Sequence, residues 1–304
     1  MVSVFILSWN HEKYVEQAVQ SVIDQTYKAI EIIYVDNNSY DNTFILAKNI
    51  LEKSGINYSV TKRDKHYNIA ANLNFMLTKA SGDHICIISA DDWLHKDNIL
   101  EQMKVFEANP QLGLVYSGGY KYHQDIKVYE PFKVIRFPDD EVLDELLARN
   151  FISAVGYIIR TAILKEIGNW NENYIIEDGD MWVRIVSKYK IAGLDKYLFF
   201  YRQHQASITA DPSVMLKAKM EWLNSNRHLN SNPQLTHRNN IFSYLSKKVV
   251  AARAFSTTLE VLTNFRLNKP FVFLLIKSFL PAALKHSLHK KSLVRKFGKI
   301  VPET

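Results

Sequence analysis

Apolar runs at residues 2–7, 30–35 and 85–89 punctuate the first 110 residues, and the stretches between them carry apolar side chains at helical spacing. Tyr14, Val15, Ala18, Val19, Val22 and Ile23 predict a helix after the first run. A polar turn, Asp36-Asn37-Asn38-Ser39, follows the second run and leads into a predicted helix over 41–53. A short strand is expected at 58–61, a helix at 69–79, and another helix at 96–108 after the run at 85–89. Strands alternating with helices of this length imply an α/β fold with a mainly parallel sheet covered on both faces. Residues 112–212 are less regular: 112–117, 151–159 and 197–201 are strand-like, and 178–188 forms a short amphipathic helix with Met181, Trp182 and Ile185 on one side. The character changes at Asp211-Pro212, and residues 213–304 read as helices alone, with no repeat and no low-complexity linker.

The candidate chemistry lies where the buried strands end. The run at 85–89 sits in Gly82-Asp83-His84-Ile85-Cys86-Ile87-Ile88-Ser89-Ala90-Asp91-Asp92-Trp93 and closes on two adjacent carboxylates. The carboxyl ends of strands are where open α/β sheets bind ligands, and two neighbouring acids repel unless a cation or a donor separates them. The same pair could instead cap the following helix. The first strand ends in Leu7-Ser8-Trp9-Asn10-His11 and the second in Tyr34-Val35-Asp36-Asn37-Asn38-Ser39, at the same sheet edge. Trp9 can stack on a base, and Asp36 and Asn37 can accept from a base N–H or a ribose hydroxyl, while Asn10 and Ser39 also suit helix capping. There is no G-x-G-x-x-G after the first strand and no G-x-x-x-x-G-K-S/T motif, which argues against a dinucleotide oxidoreductase or a P-loop enzyme.

These segments resemble the family 2 glycosyltransferases of the GT-A fold, of bacterial polysaccharide type. The likeness runs in order from Val2-Ser3-Val4-Phe5-Ile6-Leu7-Ser8-Trp9-Asn10 through Ser21-Val22-Ile23-Asp24-Gln25-Thr26-Tyr27, Asp36-Asn37-Asn38-Ser39 and Asn68-Ile69-Ala70-Ala71-Asn72 to Asp91-Asp92-Trp93, and covers roughly residues 1–210. It implies a nucleotide-sugar donor, UDP- or dTDP-linked. Trp9, Asp36 and Asn37 would hold the nucleoside, Arg63 would face the diphosphate, and Asp91 and Asp92 would form the metal motif for Mg²⁺ or Mn²⁺, whose preference for oxygen ligands fits. Two departures stand out: Asn37 replaces an acid common in the family, and Ser89 stands where many members carry another.

Two further constellations follow. Ile176-Glu177-Asp178-Gly179-Asp180-Met181-Trp182-Val183-Arg184 matches the family's Glu-Asp pair. The resemblance points to Asp178 as the base that takes the acceptor hydroxyl proton in an inverting transfer, with Glu177 assisting or binding acceptor. The acids equally suit the first turn of a helix. Phe200-Tyr201-Arg202-Gln203-His204 resembles the Tyr-Arg-x-His segment: His204 could ligate the metal or bond the leaving diphosphate, and Arg202 could neutralise phosphate or form a structural ion pair.

Composition changes the picture mainly at the end of the chain. The 304 residues are 47% hydrophobic and 23% charged, ordinary for a globular protein, and the lone Cys86 lies in an apolar strand and reads as core, so no disulfide framework exists. The overall charge is +7, but residues 261–304 alone carry +8, leaving −1 for the rest. Residues 270–284 are apolar, interrupted by Lys277, and too short to span a bilayer. Basic residues beside aromatic and aliphatic ones suit an interfacial helix on an anionic membrane, and a helical cap packed on the catalytic part is the alternative. No nucleic-acid-binding motif accompanies the charge. The amino terminus opens on a strand without a basic signal region, so the expected setting is cytoplasmic, peripheral on the inner face of the cell membrane. The expected organisation is a catalytic domain at 1–212, with a donor half at 1–110 and an acceptor half at 111–212, followed by a basic helical region at 213–304. The expected activity is metal-dependent transfer of one sugar to a glycan or lipid-linked acceptor. A sugar-phosphate nucleotidyltransferase and a non-catalytic membrane-associated scaffold are the rivals.

Overall fold

The computed structural model describes residues 1–204, 212–229, 231, 236 and 282–302. The first half alternates as the apolar pattern requires: β1 (Val2–Ser8), α1 (Val15–Ile23), β2 (Ile30–Asp36), α2 (Thr43–Leu51), β3 (Asn57–Lys62), α3 (Ile69–Leu77), β4 (His84–Ser89), a two-residue β5 (Trp93–Leu94) and α4 (Asn98–Ala108). There follow β6 (Leu112–His123), β7 (Val128–Phe132), α5 (Val142–Ala148), β8 (Ile158–Arg160), α6 (Thr161–Glu166), α7 (Glu177–Val186), β9 (Lys190–Gln203), α8 (Pro212–Ser225) and α9 (Ala282–Phe297).

The strands form one sheet in the order β3-β2-β1-β4-β8-β6-β9-β5, with β7 on β6. Pairing is parallel from β3 through β4 and again between β6 and β9, and antiparallel around β8, β5 and β7. Alternate residues of each central strand face opposite sides. Phe5, Ile33, Val35, Ile85 and Ile87 enter one core with α3, α5 and α7. Val4, Ile6, Ile32, Tyr34, Cys86 and Ile88 enter the other with α1, α2 and α4. Cys86 is a buried free thiol, as its place in the strand suggested.

Apart from the two-residue β5, the main differences from the sequence expectation fall in the second half. The strand expected over 151–159 is reduced to Ile158–Arg160. Gly156, at φ +69°, turns the chain beside Leu94 and Asn98, so residues before it run as a packed loop. The strand expected at 197–201 extends to the fourteen-residue β9, whose first half is too polar and glycine-containing to show an apolar run yet pairs along β6. Helix α8 buries Ala218, Trp222 and Leu223 in the α7-side core. Helix α9 rests against β7, where Lys290 pairs with Asp125 at 2.5 Å and Leu293 is buried. The apolar stretch at 270–281, Asp211 and the Gln205-Ala206-Ser207 end of the third constellation lie outside the described residues.

Candidate active site

In the order β3-β2-β1-β4, chain direction across the sheet reverses between β1 and β4, which opens a crevice at their carboxyl ends. Ser8–His11 leave β1 and Ser89–Asp92 leave β4 on either side of it. Asp91 and Asp92 do not cap a helix; they lead into β5, and α4 starts later with Asp97 at its N-cap.

The two acids point apart. Asp92 is buried, and its Oδ1 accepts the backbone N–H of Arg202 at 2.8 Å. Burial, then the charge of Asp91, pushes its carboxyl well above the usual range. Asp91 Oδ2 accepts from His204 Nε2 at 3.0 Å and lies 4.0 Å from His11 Nε2. Its Oδ1 is buried with no hydrogen-bond partner. Burial alone would raise the Asp91 carboxyl, but the His204 hydrogen bond, the charge of His11 and the Ser89 hydroxyl outweigh it and hold the group below its ordinary value. His11, in turn, is lowered chiefly by burial, which works against the pull of Asp91 on its proton. Ser89, standing where an acid was expected, therefore serves Asp91 as a donor.

Arg202 is enclosed. Its guanidinium carbon lies 4.6 Å from the centre of Trp93 and 4.7 Å from that of Tyr14. Nε donates to the Asp91 backbone carbonyl at 2.7 Å and Nη2 to Gln17 Oε1 at 2.5 Å. Of the two sequence readings, phosphate neutraliser or structural partner, these contacts describe a clamp that ties β9 to the Asp91–Asp92 turn and to α1. Arg202→Met should lower unfolding free energy by about 2–4 kcal/mol in urea titration, because charge-assisted hydrogen bonds and two ring contacts are lost together. Arg202→Lys should recover little of it, since an ammonium cannot reproduce the fork.

Across the crevice, the loops after β1 and β2 are laced together. Asn10 N–H donates to Ser39 Oγ at 2.8 Å, Tyr40 N–H to Asn10 Oδ1 at 3.1 Å, and His11 N–H to Thr43 Oγ1 at 2.7 Å. Asn10 and Asn38 both take positive φ, 56° and 66°, a conformation asparagine tolerates better than most residues. Asn10 and Ser39 thus join two loops; the side chain of neither caps its helix. Asp36 is fully buried, its carboxylate accepting from Ser39 N–H, Ser39 Oγ and Ser8 Oγ at 2.8, 2.6 and 3.0 Å. Asn37 holds the segment after β3: its Oδ1 accepts Tyr67 N–H at 2.9 Å and its Nδ2 donates to Tyr67 O at 2.8 Å. Arg63 lies between the rings of Tyr67 and Phe75, at 4.1 and 4.2 Å, with Nη1 buried and unpartnered. Trp9 is 39% exposed and meets the ring of His66 at a centroid distance of 4.5 Å.

The Glu177–Asp178 pair begins α7. Asp178 Oδ1 accepts Gly179 N–H at 2.6 Å and Oδ2 accepts from Asn150 at 3.5 Å. Burial raises both carboxyls; the neighbouring Asp178 charge adds to the rise at Glu177, to about 8, whereas Lys219 and the hydrogen bonds to Asp178 oppose it there. Asp180 is structural: it pairs with Arg184 at 2.7 Å and accepts from Trp222 Nε1 at 3.2 Å. Among the described residues no hydrogen bond or ion pair joins Glu177–Asp178 to the Asp91 group. His11, Gln17 and His66 carried no role in the sequence reading. Their partners, at positions 91, 202 and 37, are distant in sequence, so no local pattern marks them.

No group of three or more His, Cys, Asp or Glu side chains among the described residues is arranged to hold a metal. A hard cation bridging a diphosphate does not require one, because Mg²⁺ commonly takes one or two carboxylates with substrate phosphates and water. The unpartnered Asp91 Oδ1 fits such a ligand. His204 Nε2 donates its proton to ionised Asp91 and so orients that carboxylate; it could ligate through the same nitrogen only by releasing the proton.

Residues 3–168 match Glycosyl transferase family 2, and the chain belongs to that family of enzymes. An uncharacterised glycosyltransferase of Methanocaldococcus jannaschii is 25% identical over 206 residues, covering 66% of this chain and 70% of that one. Glycosyltransferase GlyA of Streptococcus pneumoniae is 24% identical over 223 residues, 68% of this chain but 31% of its own length. Among solved structures, S. aureus TarS 1–349 in complex with UDP-GlcNAc superposes with a TM-score of 0.58 at 15% identity, covering 96% of this chain and 92% of that one. The mannosyltransferase PcManGT of Pyrobaculum calidifontis, in complex with GDP-Man and Mn²⁺, gives 0.56 at 15% identity, covering 98% and 88%. The fold is GT-A.

Proposed function

We propose that this glycosyltransferase moves one sugar from a nucleoside-diphosphate donor to a glycan or lipid-linked acceptor with inversion at the anomeric carbon. The observation that carries the reading is Asp91: an ionised, oriented carboxylate with one buried oxygen left open at the sheet's switch point. Trp9 offers an exposed ring face for the base, and Arg63, held between two rings with an unpartnered Nη1, can turn to phosphate oxygens. Asp36 and Asn37 act on the nucleoside through the loops they fix, since their side chains are buried and engaged. A Mg²⁺ or Mn²⁺ held at Asp91, with His204 steering the carboxylate, would neutralise charge on the departing β-phosphate. Asp178 takes the acceptor proton, and Glu177, pushed up to about 8 by burial and by the charge of Asp178, offers a hydroxyl to the acceptor. The neighbours solved with UDP-GlcNAc and with GDP-Man and Mn²⁺ support a diphosphate donor and a divalent cation. Donor hydrolysis or transfer, screened over UDP-, dTDP- and GDP-sugars with Mn²⁺, tests the reading. Metal-dependent nucleotide release with at least one donor is expected, and none with any of them would overturn it.

The basic end of the chain supports a membrane-surface acceptor. No helix among the described residues is long and apolar enough to cross a membrane. On α9, Lys290 pairs with Asp125 of the turn before β7 and Leu293 is buried, while Leu288, Lys291, Val294, Arg295 and Lys296 are exposed, which mixes cations with apolar side chains on the outer face. Each basic residue near an anionic surface contributes about 1 kcal/mol. Reversing Lys291, Arg295 and Lys296 to Glu should therefore weaken sedimentation with phosphatidylserine vesicles by about tenfold or more, and raising salt should do the same to the unaltered chain. Equal binding by the triple variant would contradict a membrane role for α9.

A further inference from the structure

The side chain that replaces the expected acid after β2 fixes the protonation of a histidine. Asn37 can be oriented in one way: its Oδ1 accepts Tyr67 N–H at 2.9 Å and its Nδ2 gives one proton to Tyr67 O at 2.8 Å. Turning the amide over would set oxygen against oxygen and nitrogen against N–H. The second Nδ2 proton points to His66 Nδ1, 3.1 Å away. An amide nitrogen has no lone pair to offer, so His66 Nδ1 must accept, and the neutral ring carries its proton on Nε2. His66 is exposed, and its ring lies against that of Trp9, which is itself 39% exposed at this edge of the sheet. The crevice therefore presents an aromatic surface with an N–H donor at its margin, on the side of β1 that faces β2 and β3. The Asp91 group lies on the other side, toward β4.

We infer that His66 is a specificity-determining residue for the donor: its Nε2–H bonds a carbonyl oxygen of the nucleobase stacked on Trp9. This rests on the nucleotide-sugar reading above. An acid at position 37 would work in the opposite sense. It could not donate to Nδ1, so the ring proton would move to Nδ1 and leave Nε2 an acceptor. Asn37 and His66 together thus decide whether this margin reads a base carbonyl or a base N–H.

The test uses the full chain, labelled with ¹⁵N-histidine, and UDP. Long-range ¹⁵N–¹H correlation should show His66 protonated at Nε2, and Asn37→Asp should move that proton to Nδ1. Titration with UDP should shift the Nε2 signal. His66→Phe keeps a ring against Trp9 but has no donor; its UDP affinity should fall about tenfold by calorimetry, the scale of one hydrogen bond. His66→Gln, whose amide supplies N–H, should stay within about threefold of the unaltered chain. Inorganic pyrophosphate with Mn²⁺ should bind His66→Phe and the unaltered chain alike. A proton on Nδ1 in the unaltered chain, undiminished UDP affinity in His66→Phe, or an equal loss for pyrophosphate would each overturn the assignment, the last by placing the contact at phosphate. If none of UDP, dTDP and GDP binds the folded chain, the donor reading itself fails and this inference with it. UDP binding that ignores position 66 sinks the inference alone.

Discussion

Asp91→Asn should lower kcat by about 10²–10³, the scale of one preorganised electrostatic contact to developing charge, and should abolish the response of turnover to Mn²⁺. The substitution keeps shape and removes charge. His204 and His11 would face an amide in place of the ionised oxygen they now flank, and Oδ1, the open position, would no longer attract a cation. The Arg202 clamp grips the Asp91 backbone carbonyl, so the fold should survive. The neighbouring acid supplies the control. Burial and the charge of Asp91 push the Asp92 carboxyl up, and it accepts a backbone N–H that an asparagine oxygen can accept as well. Asp92→Asn should therefore keep its metal response and most of its turnover. Steady-state rates with saturating donor, with and without Mn²⁺, separate the two; equal losses would return the cation to both carboxylates.

Asp178→Asn should cost about 10³ in kcat, within the range for losing a positioned base, while the donor dissociation constant changes little. Its two partners, Gly179 N–H and Asn150, lie on its own helix start and on a neighbouring loop. Nothing in the donor crevice depends on it, so binding and chemistry should separate cleanly. Burial lifts the Asp178 carboxyl above its ordinary value. The acid limb of the kcat profile, where activity rises as the base loses its proton, should accordingly lie at higher pH than an ordinary carboxylate would give. Burial and the charge of Asp178 push Glu177 to about 8, so it holds its proton at neutral pH. Glu177→Gln should thus preserve the limb and much of the rate. A limb that vanished in Glu177→Gln and survived in Asp178→Asn would exchange their roles.

The parallel half of the fold was legible because β1, β2 and β4 are buried on both faces and read as largely apolar runs, as in Ile30–Asp36, where every residue is buried and only Glu31 and Asp36 are charged. The second half was harder. Residues 190–194 pair with β6 around Gly193, the register shifts across Asp195 and Lys196, and Val128–Phe132 is a short edge strand with Pro131, so neither shows a period-two signal. The candidate site residues were found where strands end, but the direction in which each side chain points was not in the pattern. Adjacent Asp91 and Asp92 look alike in sequence, yet one faces the crevice and the other the backbone of a strand 110 residues later. Arg202 stands in sequence between a phosphate ligand and a structural partner, and the way Trp93, Tyr14 and Gln17 enclose it is not in the local pattern. His66 lies in a polar loop without periodicity and gains meaning only from the orientation of Asn37.

Calorimetric titration of the full chain and of Asp91→Asn with UDP and GDP, each in Mn²⁺ and in EDTA, decides whether Asp91 holds the cation that joins the nucleotide to the crevice. The unaltered chain should bind at least one of the two nucleotides about tenfold or more tightly in Mn²⁺ than in EDTA, and Asp91→Asn should bind it equally weakly in both. Binding in Asp91→Asn that strengthens with Mn²⁺ as much as in the unaltered chain would contradict that role for Asp91.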